Sequence, residues 1–570
     1  MKNIKNYLLP FTTLLLTQTG RAQITPFSFS AKAYLDINNI KAAHLVHGDM
    51  FWDPSTSESK CEFPKGSGKN ASFVTTLWMG GYDGSNNLHV AAQTYRQNGN
   101  DYWPGPIENV QPVPYDSSAS WAKIWKVNRA DITGFLAITN HTGSNTPAGI
   151  LSWPAKGNPY AYGSGPLHIT RDMAPFVDVN NDGIYNALQG DYPKIKGDQM
   201  LWWVINDNGV AHSQTNSMPL GAEIIVMAYA YNRGSAIDNI LFYEYYVTNR
   251  SANNYSNFRF GLFSDTDLGY AFDDYIGFDS SHRMAITYNG KAYDGQGETN
   301  SYGSRPPMTG FTILETPGDA GGTYEAAGNF AYHNNDFTVI GNPGNDTQFY
   351  GYLSGYNKGG MHFSNDWDYI PGHNSKAYNT SNYVNYVYPG IPSDSSQWSE
   401  CVCNNKPDDR RYILSAAPRN FNAGSTLKFA LAFVVTDTGA GHTCPGTDFS
   451  DVKNMADTAW YWYHNALPST GIAQVHVEKN TLKLYPNPAQ QSIFIETTAN
   501  NNNGSVAVYD ALGKMYRLPA MQKNNTIELN IQSLAPGVYT IIYRSNNEQQ
   551  SEYDRCPHQQ QHRNLLPHRR

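Results

Sequence analysis

Short apolar runs broken by turn clusters recur along most of the chain, and their alternation predicts β-strands rather than long helices. Strands are expected at Ser72–Met79, ended by Gly80-Gly81, and at Leu88–Tyr95. Trp125–Val127 and Gly134–Ile138 continue the pattern, and Trp103–Pro106 (WPGP) is a rigid turn, because each proline fixes its own φ and restricts its predecessor. Gln199–Ile205 reads as a buried strand. Glu223–Tyr231, Asn239–Thr248, Arg410–Ser415 and Thr426–Thr436 follow it, rich in β-branched and aromatic residues. Residues 290–400 are Gly-, Asn- and Tyr-rich without a clear period, which predicts long loops on the β scaffold. One helix is expected, at Asp448–Leu467. There Val452, Met455, Ala459 and Tyr463 recur at three- and four-residue steps, and Ala456 and Trp460 broaden the stripe. Ser450 can cap this helix, and Asp451 suits its first turn.

A separate alternation begins near residue 481. Leu482–Tyr485, Ser492–Thr497, Ser505–Tyr509, Thr526–Ile531 and Gly537–Tyr543 alternate cleanly, and turns fall between them. That is the pattern of an Ig-like sandwich. With 570 residues the chain exceeds what one core supports. The fold class is therefore mainly β and multi-domain. It consists of a β-sandwich-type ectodomain over 23–467 with one late helix, a linker at 468–480, and a C-terminal Ig-like sandwich over 481–552. A sub-domain break near 215 is allowed.

Composition changes this picture in two ways. The 49 Gly and 32 Pro agree with many turns, and the net charge of −8 with no basic stripe speaks against a nucleic-acid partner. At the N-terminus, Lys2 and Lys5 precede the short apolar stretch Leu8–Leu16, and Gly20-Arg21-Ala22 provides small residues for cleavage after Ala22. Residues 1–22 thus read as a secretory signal peptide. The apolar run is far shorter than the ~20 residues a membrane helix needs, and no segment of the mature chain reads as transmembrane. Secretion permits disulfides. Among five cysteines, either Cys401 or Cys403 can pair with Cys444.

Candidate chemistry is confined to acidic loops. Asp178, Asn180 and Asp182 place oxygens at alternate positions before Gly183, which is the opening of a calcium loop. The carbonyl of Ile184 and the side chain of Asn186 continue the ligand set. Position twelve is Gln189, so the closing carboxylate is expected from Asp191. The competing reading is an Asx-rich turn satisfied by its own amides. A second cluster, Asp265, Asp267, Asp273, Asp274 and Asp279, has no Lys or Arg within it, so either it spreads into solvent or a cation gathers it. Gly269 and Gly277 are expected to permit tight turns there. Nucleophile elbows, H-E-x-x-H, P-loops and G-x-G-x-x-G are all missing from the sequence. His44 and His47 would face opposite ways on a strand and read as packing residues.

Two resemblances add to this reading. Tyr485–Pro488 (YPNP), Val508–Lys514 (VYDALGK) and Leu534–Tyr539 (LAPGVY) make the last module resemble the C-terminal sorting domain of the type IX secretion system of Bacteroidota. That resemblance implies export across the outer membrane, with the secretion machinery as partner and release or surface attachment as outcome. From Ser551 the chain departs from the pattern. The tail 553–570 is rich in Arg, His and Gln and is expected to be disordered, which puts the family's terminal strand, and efficient export of this exact chain, in question. Residues 31–467 resemble a large family of such secreted proteins. The marks are Leu77–Gly81, Tyr102–Pro106, Asp178–Pro193, Gly197–Gln199, Asp265–Asp279 and Asp409–Tyr412. That family carries no assigned activity, so the resemblance supports the calcium readings alone. The expected function is a secreted or surface protein, non-enzymatic, calcium-stabilised, adhesive or glycan-binding. The alternative is a secreted hydrolase acting on polysaccharide or protein.

Overall fold

The computed structural model describes residues 30–95, 99–108, 115–320, 323–365, 383–439, 442–465, 483–486, 489–496, 505–510, 515–523, 526–537 and 539–544. The expected signal peptide at 1–22, linker at 468–480 and tail at 553–570 lie outside the described residues. The chain is mainly β, with several sheets and few helices.

Two large sheets build the ectodomain. The first has nine strands, and its centre is a run of antiparallel neighbours: Thr426–Val435, Ile240–Asn249, Ala222–Ala230 and Gln199–Asn206. The second has six strands, with Tyr255–Asp265 between Val74–Tyr82 and Arg410–Ala416. Alternation decides which face each residue serves. Leu201, Trp203 and Ile205, with Leu241, Tyr243, Tyr245 and Val247, enter the core shared with the second sheet. The intervening Met200, Trp202 and Val204 enter a second core on the opposite face. Both faces are thus covered, which is why these strands are almost continuously apolar. Between the sheets, the Phe260 and Phe429 rings stack at 4.1 Å.

The opposite face is covered by the helix Ser450–Asn465, which buries Val452, Met455, Ala456 and Ala459 as its stripe predicts. Its start is secured by Asp448, whose Oδ1 accepts the Ser450 amide at 2.9 Å, so Asp448 performs the capping expected of Ser450. A disulfide joins Cys401, and not Cys403, to Cys444.

Two expectations need correction. Gly134–Leu136 is not strand: it closes the short helix Arg129–Leu136, whose capping box at Asn128 and Asp131 fixes a helical start. Residues 290–400 are not all loop, since they hold the strands Thr309–Glu315 and Ala327–Asn334 and the helix Asp346–Leu353. Position 215 lies in the connection between the strands Gln199–Asn206 and Ala222–Ala230, and the buried Thr215 hydroxyl donates to Asp101 Oδ2 at 2.8 Å.

In the C-terminal module the described strands form a four-stranded and a three-stranded sheet. Ile493, Ile495, Val508, Ile527 and Leu529 form their shared core. Met515–Tyr516 and Ala520–Lys523 add strands the alternation alone did not disclose.

Candidate metal centre

The first acidic loop is closed by a two-residue ladder in which Phe176 and Val177 pair with Pro193 and Tyr192. This register sets Asp191 beside Asp178. Asp191 is buried, and its two oxygens accept the amides of Val179 and Asn186, each at 2.8 Å. Burial raises its pKa above the usual carboxylate range, and the charges of Asp178 and Asp182 add to the rise. Asp178 accepts the amides of Gly183 (2.7 Å) and Asp182 (3.3 Å), and Asp182 accepts that of Ile184 (2.8 Å). Asn180 Oδ1 accepts from the Asp182 amide, and Asn186 Oδ1 accepts from Leu188. The GDYP turn therefore folds back as the calcium reading requires. The same oxygens also satisfy the loop's own amides, as the Asx-turn reading requires.

The second cluster is built differently. Asp265 ends the strand Tyr255–Asp265, directly across from Arg411 at the start of Arg410–Ala416. The chain then turns through Asp267, a non-glycine residue at φ +34°. Such strain is characteristic of positions held by their surroundings. Asp409 approaches from just before the neighbouring strand. Ligand oxygens of Asp265, Asp267 and Asp409 lie within 4.8 Å of one another, the one such acidic trio among the described residues. Arg411 reaches Asp265 Oδ2 at 3.2 Å and Asp409 Oδ1 at 3.4 Å. One guanidinium against three carboxylates leaves two negative charges uncompensated. Asp265 is 2% exposed, and its Oδ1, like the Oδ1 of Asp267, meets no hydrogen-bond donor. Burial pushes the Asp267 carboxyl up to about 7, reinforced by Asp409. Burial raises Asp265 as well, against the opposing pull of Arg411.

Other acidic groups border this trio. Asp274 is fully buried; its Oδ2 accepts from Thr266 Oγ1 (3.0 Å) and Leu268 N (2.9 Å), while its Oδ1 meets no donor. Burial raises it, and the charges of Asp273, Asp267 and Asp294 raise it further. Asp273 accepts the Gly295 amide at 3.0 Å, with Lys291 at 4.0 Å, and burial pushes it up to about 6. Asp294 accepts the amides of Tyr270 and Tyr302. Gly269 lets the chain pass close to it: at φ +70°, a Cβ there would lie 2.0 Å from Asp294 Oδ2. Gly277 does not serve a turn. It lies within the strand Asp274–Asp279, where a Cβ would meet Phe449 at 2.8 Å.

Asp279 stands apart from the trio. His282 (2.7 Å) and Lys453 (2.5 Å) bind its carboxylate. Despite burial, these partners hold its pKa well below the usual range. Sequence reasoning missed Asp409 and Asp294 as members of the acidic region. Asp409 opens Asp409–Tyr412, a stretch already conspicuous, but only the strand register brings it to Asp265. Asp267 also lines an open cleft of about 660 Å³, together with Glu58, Glu62, Glu298 and Tyr270.

Comparison with known proteins now bears on the C-terminal module. Residues 483–553 match the family described as a secretion system C-terminal sorting domain. The chain is thus a cargo of the type IX secretion system, secreted or held at the cell surface, with the secretion machinery as partner. No curated protein matches the chain. Among solved structures, a polysaccharide lyase aligns with 8% identity and a TM-score of 0.18, over 59% of this chain and 34% of its own. The chain therefore spans about a third of that structure's length, and the likeness carries no argument. Among the described residues no helix is long and apolar enough to cross a membrane.

Proposed function

We propose that the ectodomain is a non-enzymatic, calcium-stabilised binding protein, adhesive or glycan-binding, that works outside the cell. The observation that carries the calcium half is the trio Asp265, Asp267 and Asp409, with its convergent oxygens and the buried, donor-free Oδ1 atoms of Asp265 and Asp267. Hard divalent cations take such oxygen sets, and a carboxylate-rich pocket without a cation must protonate or repel itself. Calcium there would join the end of one strand to the start of its neighbour and so clamp two inner strands of the second sheet at one end. The loop Asp178–Asp191 is a second calcium position in the same reading, with Asp178, Asn180, Asp182, the Ile184 carbonyl, Asn186 and Asp191 as ligands.

Thermal unfolding of the full chain in chelator and in millimolar calcium tests this. Ligand that binds only the native state raises its stability by mass action. Asp409→Asn should remove most of the shift, and Asp182→Ala should remove the share of the first loop. A calcium shift that survives both substitutions, or no shift in wild type, would contradict the reading.

A secreted hydrolase is the second reading. It is favoured by the cleft at Asp267, which brings three further carboxylates, Glu58, Glu62 and Glu298, to one open surface.

A further inference from the structure

On the outer face of the nine-stranded sheet, beside the base of the first acidic loop, lies a cavity of about 500 Å³. Its volume falls within the range of small-molecule sites, roughly 300–1,000 Å³. Ile225 and Met227 of the strand Ala222–Ala230 and Tyr246 of the strand Ile240–Asn249 form an apolar floor. Four cations, Arg171, Lys194, Lys196 and Arg250, surround it.

The charge around this floor does not cancel. The carboxylate of Glu223 is 1% exposed and takes both arginines, Arg171 at 2.5 Å and Arg250 at 2.8 Å. Lys196 is bound to Glu244 at 2.5 Å. Two buried carboxylates thus face four cations. Lys428, which also approaches Glu244, has its own partner in Glu315 at 2.7 Å. Asp172 on the rim lies 3.8 Å from Lys156. Lys194 is exposed, and among the described residues it makes no ion pair. The chain as a whole carries a net charge of −8, opposite in sign to this local surplus.

We infer that this cavity binds an acidic sugar unit, its carboxylate directed to Lys194 and the arginine pair and its C–H face laid on Ile225, Met227 and Tyr246. The flat apolar floor suits the face of a ring better than a long chain. The surplus positive charge suits a carboxylate that the neutral counterpart lacks. Asp172 on the rim is placed to accept from sugar hydroxyls. This inference rests on the glycan-binding half of the proposed function and is independent of calcium.

Titration calorimetry of the full chain in calcium buffer, with trigalacturonate and with neutral galactotriose, tests it. Trigalacturonate should bind and galactotriose should bind at least about tenfold more weakly, the difference shrinking as salt screens the cations. Lys194→Glu, at an exposed unpaired position, should weaken trigalacturonate about tenfold, and Lys194→Arg should retain it. Thr426→Trp, which fills the rim without altering a charge, should also abolish binding. Equal affinity for the two trisaccharides, or trigalacturonate binding untouched by Lys194→Glu and Thr426→Trp, would overturn the cavity while leaving glycan binding standing elsewhere. No binding of either sugar at millimolar concentration would overturn both.

Discussion

Removing Arg410 should destabilise the ectodomain more than any exposed ion-pair change. Arg410 and Glu400 are both fully buried, and the guanidinium reaches the carboxylate three times: Nε to Oε1 (3.1 Å) and Oε2 (3.0 Å), and Nη2 to Oε2 (2.8 Å). Glu400 also accepts from Ile276 N at 3.0 Å and Asn405 Nδ2 at 3.1 Å, while Arg410 donates to the Asn334 side chain and the Lys406 carbonyl. Arg410→Met leaves the carboxylate dry and without its counter-charge. Breaking one side of a buried pair in this way costs about 3–5 kcal/mol. For a unit of this size that corresponds to a melting temperature roughly 3–10 °C lower. Glu400→Gln added to Arg410→Met removes the stranded charge yet keeps an acceptor for Ile276, so the double variant should recover at least half of the loss. Scanning calorimetry of the four proteins of this cycle reads both quantities. The reasoning fails if Arg410→Met melts within 1 °C of wild type by roughly the same scale, or if the double variant is less stable than Arg410→Met. Because Asp409 and Arg411 flank this anchor, Arg410→Met should also reduce the calcium response.

Two further outcomes follow from the described residues. His212 is buried with both ring nitrogens on backbone carbonyls, Val90 at 2.8 Å and Asp207 at 2.7 Å, so both must donate and the ring is cationic. Burial opposes that charge, but Asp101 (3.7 Å), Asp207 (3.9 Å) and the two carbonyls outweigh it and raise the pKa. Its stabilisation is therefore complete below the ordinary value of about 6.5 and is lost as pH rises through the raised one. Denaturant midpoints should fall as pH rises through that interval, and His212→Gln should flatten the fall; a steeper slope in the variant would refute the assignment. The Cys401–Cys444 bridge closes a separation of 43 residues, for which loop closure gives about 4 kcal/mol. Reductant should lower the melting temperature of wild type and of Cys403→Ser, and leave Cys401→Ser unchanged; sensitivity lost in Cys403→Ser instead would reassign the pair.

The core strands were legible because a continuous apolar run is local: Gln199–Asn206 and Thr426–Val435 declare themselves in any window of eight residues. The helix Ser450–Asn465 was equally plain from its stripe. The helix Arg129–Leu136 was not, since its Gly134-Phe-Leu mimics a strand start and its evidence is a capping box. Two of the three carboxylates of the candidate metal centre were legible. Asp265 and Asp267 stand out as unpaired acids in one stretch. Asp409 joins them only through the pairing of Asp265 with Arg411, a register no single stretch encodes. The partners of Asp279 are also partly remote in sequence: Lys453 lies on the helix, so a residue that looked unpaired is bound by a cation. The C-terminal module is the opposite case, where short motifs alone identify it.

The central claim is a cation among Asp265, Asp267 and Asp409. Anomalous diffraction from crystals of the full chain grown in millimolar calcium tests it most directly. The account predicts a peak among these three carboxylates, with oxygen distances of about 2.3–2.6 Å, that disappears in Asp409→Asn. Crystals grown in calcium that show no peak there, with Arg411 alone holding Asp265 and Asp409, would contradict it.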